Sequence, residues 1–263
     1  MPHSPSDPSV NHLELESWLN QLLAADQFKD YAPNGLQVEG CPDIRRIVTG
    51  VTASQALIEH AIRNKADAII VHHGWFWKNE SPCVRGFRRR RMASVLAHDI
   101  NLYGYHLPLD AHPTLGNNAQ LARVLGLTPD INPSSQPVTF GHAGLVWSGQ
   151  CDPCTADTLA QRIHQALDRQ PLVVGPAERM IRRVAWCTGG AQSMLQDAID
   201  HGVDAYITGE ASEQNFHMAN EADIVFVAAG HHATERYGIQ ALGNAIHNQF
   251  GIPVDFIDLD NPI

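Results

Sequence analysis

The chain has 263 residues, a hydrophobic fraction of 44% and a formal charge of −10 at pH 7. That length can bury one or two cores, the apolar content excludes extended disorder, and the acidic balance argues against a general duplex-DNA binder, whose affinity comes from neutralising phosphates. No apolar run approaches a membrane span, and the polar, Pro- and Ser-bearing residues 1–11 read as a flexible tail rather than a signal peptide, so a cytoplasmic protein with no membrane partner is expected.

Taken in chain order, the first periodic stretch lies near Leu13 to Ala25, where Trp18, Leu19, Leu22 and Leu23 form the stripe of an amphipathic helix. A strand over 46–51, a helix over 54–64 and a strand over 67–72 follow. That last strand is the apolar run Ala68 to Val71, and it ends in His72-His73 before Gly74. A buried strand closed by a glycine turn presents its carboxyl-end side chains to the crevice where open α/β sheets bind ligands. Successive strand residues point to opposite faces, so a His-His pair can serve two neighbouring ions, or one ion and its substrate.

Next come a helix over 88–98, a strand over 101–105, a loop carrying Asp110 and a helix over 117–125 with Asn117 as its cap. Arg85 and Arg88 to Arg91 form the densest basic run. Four consecutive arginines spread around a helix, so the run reads either as a solvated or subunit-contacting face or as a phosphate grip suited to Arg's bidentate fork. Residues 126–136 carry Pro and Ser without periodicity and mark a boundary.

Beyond the boundary the pattern predicts strand 139–147, helix 155–168, strand 171–174, a strand–helix–strand unit over 181–208, helix 212–221, strand 224–228, helix 232–249 and strand 253–257. Alternating strands and helices imply mostly parallel sheets in two α/β lobes, residues 12–127 and 128–263. Five cysteines imply free thiols, and Cys151-Asp-Pro-Cys154, lacking a second pair to complete a zinc site, reads as a loop feature.

An internal repeat supports the two-lobed division. Ile44 to Ile70 can be laid without a gap on Ile181 to Ile207, both copies reading strand, small-residue turn, helix, strand. A weaker echo sets Leu102 to Asp110 against Val227 to Glu235 and places His106 opposite His231 and Asp110 opposite Glu235. His231 and Glu235, four apart at a helix start, share a face and can grip one ion. Together with His72, His73 and Asp110 they form a nitrogen and oxygen donor set suited to Zn, Mn or Fe(II), with no thiolate recruited. His106, His112, His217 and His232 are further candidates for substrate or supporting roles.

The stretches Val71 to Lys78, Tyr103 to His112 with Gly116 to Ala119, Trp186 to Gly190, Ile207 to Glu213, Gly230 to Arg236 and Phe256 to Pro262 resemble the Nif-three-like dinuclear metal-centre family, in its YbgI-type branch of GTP cyclohydrolase I type 2 homologues. The likeness runs from about residue 12 to the C-terminus. It implies a two-lobed α/β protomer, a toroidal homohexamer, and two divalent ions (Fe, Mn or Zn) in the cleft between lobes on His72, His73, Asp110, His231 and Glu235. On a cyclohydrolase reading a metal-activated water would hydrolyse a nucleotide, with His106 or His232 as candidate general acid/base and with the Thr188 to Ala191 turn, Lys78 or the arginine run as candidates near the triphosphate. The rival readings are a non-catalytic or regulatory ring linked to DNA repair or metal handling, and a metal-dependent phosphoesterase. No P-loop, GxGxxG fingerprint or GxSxG elbow is present.

Overall fold

A computed structural model describes residues 8–263 and divides them into two compact units. The first runs to Leu109 and resumes over Ile239–Asp260; the second comprises Asp110–Gly238 with Asn261–Ile263. The division therefore differs from the expected lobes 12–127 and 128–263, and the cores say why. Leu121, Ala122 and Leu127 pack with Trp147, Leu159 and Trp186 of the second unit, whereas Ile239, Leu242, Ile246 and Ile252 join Leu15, Leu19 and Ile70 of the first. The Pro-bearing segment after Gly126 is no unit boundary, because Thr128–Pro129 pairs with the strand Val146–Cys154 inside the second unit's sheet.

In the first unit the spatial strand order is Val254–Phe256, Ile47–Thr52, Ala68–His73, Asn101–Gly104, Gly35–Val38. Neighbours run parallel except for the last pair. Parallel strands covered on both faces read as continuous apolar runs, which is why Ala68 to Val71 shows no alternation. Their side chains do alternate in space. Ala68 and Ile70 enter the cluster built by the helix His12–Leu23, while Ile69 and Val71 enter the cluster of Leu57, Ile58 and Val95 from the helices Gln55–Arg63 and Gly86–Ala97.

The expected flexible tail, residues 1–11, lies outside the described residues as far as residue 7. Its end is ordered: Val10–Asn11 pairs with Asp43–Ile44, and the Asn11 side chain accepts from the Leu13 amide as the N-cap of the first helix. The antiparallel edge strand Gly35–Val38 was not anticipated. Asp110 sits in a short helix, Leu107–Ala111, where a loop was expected.

The second unit's sheet has the order Leu172–Val174, Val225–Ala228, Ala205–Thr208, Ile181–Trp186, Val146–Cys154, Thr128–Pro129, with Thr139–Phe140 also pairing on Val146–Cys154. Only the three inner strands are parallel; the flanking pairings are antiparallel, so parallel character is confined to the centre of this sheet. The expected strand 139–147 is broken by a turn at His142–Gly144, where Gly141, Ala143 and Gly144 adopt positive φ, and the chain folds back as Val146–Cys154. That return strand contains Cys151 and Cys154, which are free thiols in a strand rather than a loop.

The repeat has a physical counterpart. In the first unit Val48 and Ile47 pair with Ile69 and Ala68; in the second Ala185 and Val184 pair with Tyr206 and Ala205 in the same register. Each copy is clasped by one carboxylate oxygen. Asp67 Oδ2 accepts from the amides of Arg45 and Arg46 at 2.7 and 3.0 Å, and Asp204 Oδ2 accepts from those of Arg182 and Arg183 at 2.9 Å each. Among the described residues no helix is long and apolar enough to cross a membrane.

Candidate metal centre

In the first unit the parallel strands deliver histidines to their carboxyl ends. His72 is fully buried and its Nδ1 lies 3.0 Å from the Tyr105 carbonyl. A carbonyl can only accept, so Nδ1 carries the proton and Nε2 the lone pair. His73 Nδ1 lies 3.2 Å from the Thr52 hydroxyl on the neighbouring strand. His106, just past the strand Asn101–Gly104, has Nδ1 2.7 Å from Asp30 Oδ1. One nitrogen from each of His72, His73 and His106 falls within 4.8 Å of the others, a group able to hold a metal ion.

Asp30 is bound firmly. It also accepts from the Asn34 side chain at 3.0 Å and the Leu107 amide at 2.9 Å. Burial alone would raise its carboxyl; hydrogen bonding and charge attraction from His106, with Asn34 and the Tyr31 amide, outweigh that and hold it at about 2.

In the second unit Asp110 and Glu235 are both buried, 7% and 2% exposed, and carboxylate oxygens of the two lie within 4.8 Å. Asp110 Oδ1 accepts from the Asn117 side-chain amide at 2.8 Å and from the Thr188 hydroxyl at 3.3 Å. His231 opens the helix His231–Phe250. Its Nδ1 is 2.6 Å from Glu210 Oε1 and its Nε2 3.2 Å from Glu235 Oε2. Burial pulls the imidazole down, but Glu235 and Glu210 more than compensate and hold it at about 9. Gly189 makes room for this arrangement. Its φ is +69°, and a Cβ there would stand 2.1 Å from Glu235 Oε1. Gly209 does the same, since a Cβ would meet the Gly189 carbonyl and the His231 Cα at 2.6 Å each.

The donor chemistry suits divalent metal on both counts. Histidine ligands are ordinarily fixed by a carbonyl or carboxylate on the nitrogen that does not bind, which is how His72, His106 and His231 are held. Two buried carboxylates at close range repel, and a cation removes that cost. The proton His231 holds between two acids stands where a metal would bind Nε2, because a ligating imidazole must be neutral.

The other candidates have plainer surroundings. His232, 9% exposed, follows His231 in the first helical turn, and its backbone amide donates to the Ile263 carbonyl at 3.1 Å. His112 Nδ1 accepts from the amides of Thr114 and Leu115, a turn-closing role. His217 lies exposed on the helix Glu213–Glu221. The Thr188 to Ala191 turn is not an anion cradle, since the amides of Thr188, Gly189 and Ala191 donate to Asn118, Thr234 and Thr208. Cys151 is pushed up to about 12 by burial and by Cys154, so it is no nucleophile at neutral pH.

Sequence reasoning missed Asp30 and gave Glu210 no role. Glu210 stands at the repeat position of His73, a signal that was available; Asp30 lies in an aperiodic stretch and offered none.

Fold and site together define an α/β protein carrying histidine and carboxylate donor sets at the carboxyl ends of its strands, suited to divalent metal. The chain belongs to the Duf34/NIF3 (NGG1p interacting factor 3) family, whose model matches residues 10–262. It is 51% identical over 255 residues to a Haemophilus influenzae protein named GTP cyclohydrolase 1 type 2 homolog, across 96% of this chain and all of that one. Among solved structures it is similar to protein ybgI, described as of unknown function, with 51% identity and a TM-score of 0.89 over 97% of this chain and 100% of the other. The Thermus thermophilus protein TTHA1606 is 33% identical with a TM-score of 0.86, again over 97% and 100%. The family resemblance and the α/β fold read from the motifs therefore stand.

Proposed function

We propose that this chain holds two divalent ions, Fe, Mn or Zn, on His72, His73, Asp110, His231 and Glu235, and hydrolyses a nucleotide in the manner named for its relatives. The observation that carries the reading is the oxygen acceptor fixed on Nδ1 of His72, His106 and His231, which commits each Nε2 to a ligand or a proton. The chemistry such ions supply when bound is hydroxide near neutral pH, from a water whose pKa they lower.

The protein's own residues do the rest. Asp30 fixes the His106 ring, so that Nε2 can give a proton to the leaving nitrogen when the guanine imidazole ring is opened and formate released. His232, buried beside His231, is the second position from which that proton can come. Asn117 and Thr188 hold Asp110, and Glu210 holds His231, against rotation. The working form we propose is a cytoplasmic homohexameric ring.

The test is formate release from GTP by full-length protein reconstituted anaerobically with Mn, Fe(II) or Zn. His73→Ala and Glu235→Ala should each lower it about a hundredfold or more through loss of metal. Two ions per chain with GTP untouched would sink the cyclohydrolase reading, and phosphate released in place of formate would replace it with phosphoester hydrolysis.

A further inference from the structure

One side chain of the first unit reaches the ends of both strands that carry its histidines. In the pairing of Gly35–Val38 with Asn101–Gly104, Leu36 faces Tyr103 and Val38 faces Leu102, so Gln37 is an extra residue bulged out of the ladder. A bulge re-aims the side chain it carries. That of Gln37 is laid over Gly74, which follows the strand Ala68–His73, and over Gly104, which ends the strand leading to His106. A Cβ at Gly74 would stand 2.2 Å from Gln37 Oε1, and one at Gly104 would stand 2.6 Å from Gln37 Nε2. At both glycines the three nearest atoms outside the adjoining residues all belong to Gln37. Neither glycine has a positive φ, so what excludes a larger residue there is Gln37 and not the backbone.

Both ends of the Gln37 amide are engaged, each on a different arm of the site. Oε1 accepts from the Trp75 amide at 2.7 Å, and Nε2 donates to the Pro33 carbonyl at 2.8 Å. The partners dictate that orientation, since an N–H can only donate and a carbonyl only accept. Trp75 also donates its indole N–H to the Ala53 carbonyl at 3.0 Å, so the turn leaving His73 is pinned through both backbone and ring. Pro33 lies between Asp30 and Asn34, the two residues that hold His106. Asn34 Oδ1 accepts from the His106 backbone amide at 2.8 Å, and Asp30 Oδ1 is 2.7 Å from its Nδ1. His106 lies beyond the last pair of the parallel ladder, Val71 with Gly104, so the strands alone do not fix its ring, which stands 5.1 Å from that of His72 and 5.7 Å from that of His73.

We infer that Gln37 is a positioning residue, which sets the distance from the metal-binding His72-His73 pair to the proton-donating His106. It acts through the Trp75 turn and the Pro33 loop and not on a reacting atom. The inference rests on the proposed metal centre and on His106 as its proton donor. A glutamine is needed because the two arms require an acceptor and a donor on one side chain of this length. Glutamate would keep the Trp75 bond but turn a second acceptor towards Pro33, and methionine would fill the same space with neither bond.

The experiment compares full-length wild type with Gln37→Met, Gln37→Glu, Gln37→Ala, Gly104→Ala and the double variant Gly104→Ala/Gln37→Ala. Each is loaded anaerobically with Co(II) as a spectroscopic stand-in for the native ion, and Co(II) content, visible absorption, formate release from GTP and urea midpoint are recorded. Gln37→Met should shift the Co(II) absorption and lower kcat about tenfold, with KM held within about twofold. Gln37→Glu should keep the wild-type absorption, because the Trp75 bond survives, and still lose kcat by a similar factor. Gly104→Ala, whose added methyl group displaces Gln37 Nε2, should lower kcat by itself yet add nothing to Gln37→Ala, since changes that act through one contact are not additive.

Variants that fall only in urea midpoint, with the absorption and kcat of the wild type, make Gln37 a structural residue and overturn the inference. A loss at Gly104→Ala that adds in full to that of Gln37→Ala does the same. Co(II) bound without turnover of GTP removes the hydrolase, and the spectra then decide: a shift in Gln37→Met with none in Gln37→Glu upholds the positioning role, and any other pattern ends it. A wild type that binds no Co(II) removes the metal centre and the inference with it.

Discussion

Each histidine of the candidate centre is defined by what its Nδ1 touches, and at His231 the partners set the charge on the ring. Its folded-state value of about 9 lies above the ordinary 6.5. A raised histidine stabilises the fold fully below its unfolded value, and that contribution is lost as pH rises through the folded one. Metal-stripped protein should accordingly lose stability between about pH 6.5 and 9, by at most about 3 kcal/mol. His231→Asn should lack that slope, and urea midpoints in EDTA across the range decide it. The residues that could be read from sequence were those with a local signature: His72 and His73 at a strand end, His231 and Glu235 one helical turn apart. Asp30 was not legible because its bond to His106 joins positions 76 apart through a segment without period.

At the scale of elements, the repeated strand–helix–strand unit is held by the same device twice. Asp67 and Asp204 each bind two successive backbone amides, closing the entry of one strand onto the entry of the next. Asp67→Ala should cost about 1–3 kcal/mol, since two half-buried amides lose a charged acceptor, and Asp204→Ala less, since the amides it binds are exposed and water can replace it. Denaturant midpoints that do not move would mean that strand packing alone sets the register. The inner strands were legible because they are short, mostly apolar stretches alternating with helices. The edge strand Gly35–Val38 and the return strand Val146–Cys154 were not, because antiparallel edges are shaped by turns, here the positive φ of Gly141, Ala143 and Gly144, and turns leave a weak trace in composition.

At the scale of the whole molecule, the proposed homohexamer is open to direct measurement. Light scattering on the full-length protein should return six times the chain mass, and a monomer or dimer at micromolar concentration would remove the ring from the proposal. The two-lobed organisation was legible through the repeat, but its limits were not. Local patterning carries no mark that Ile239–Asp260 packs with the chain's first hundred residues and not with the segment just before it. That return matters most while the protein is being made. The strand Val254–Phe256 is the neighbour of Ile47–Thr52, and Ile239, Leu242, Ile246 and Ile252 fill the core beneath. On the ribosome, the first unit must therefore wait with an unpaired sheet edge and an unfilled core until Asp110–Gly238 of the second unit has emerged. Residues translated after Gly238 are the ones that close the first domain begun.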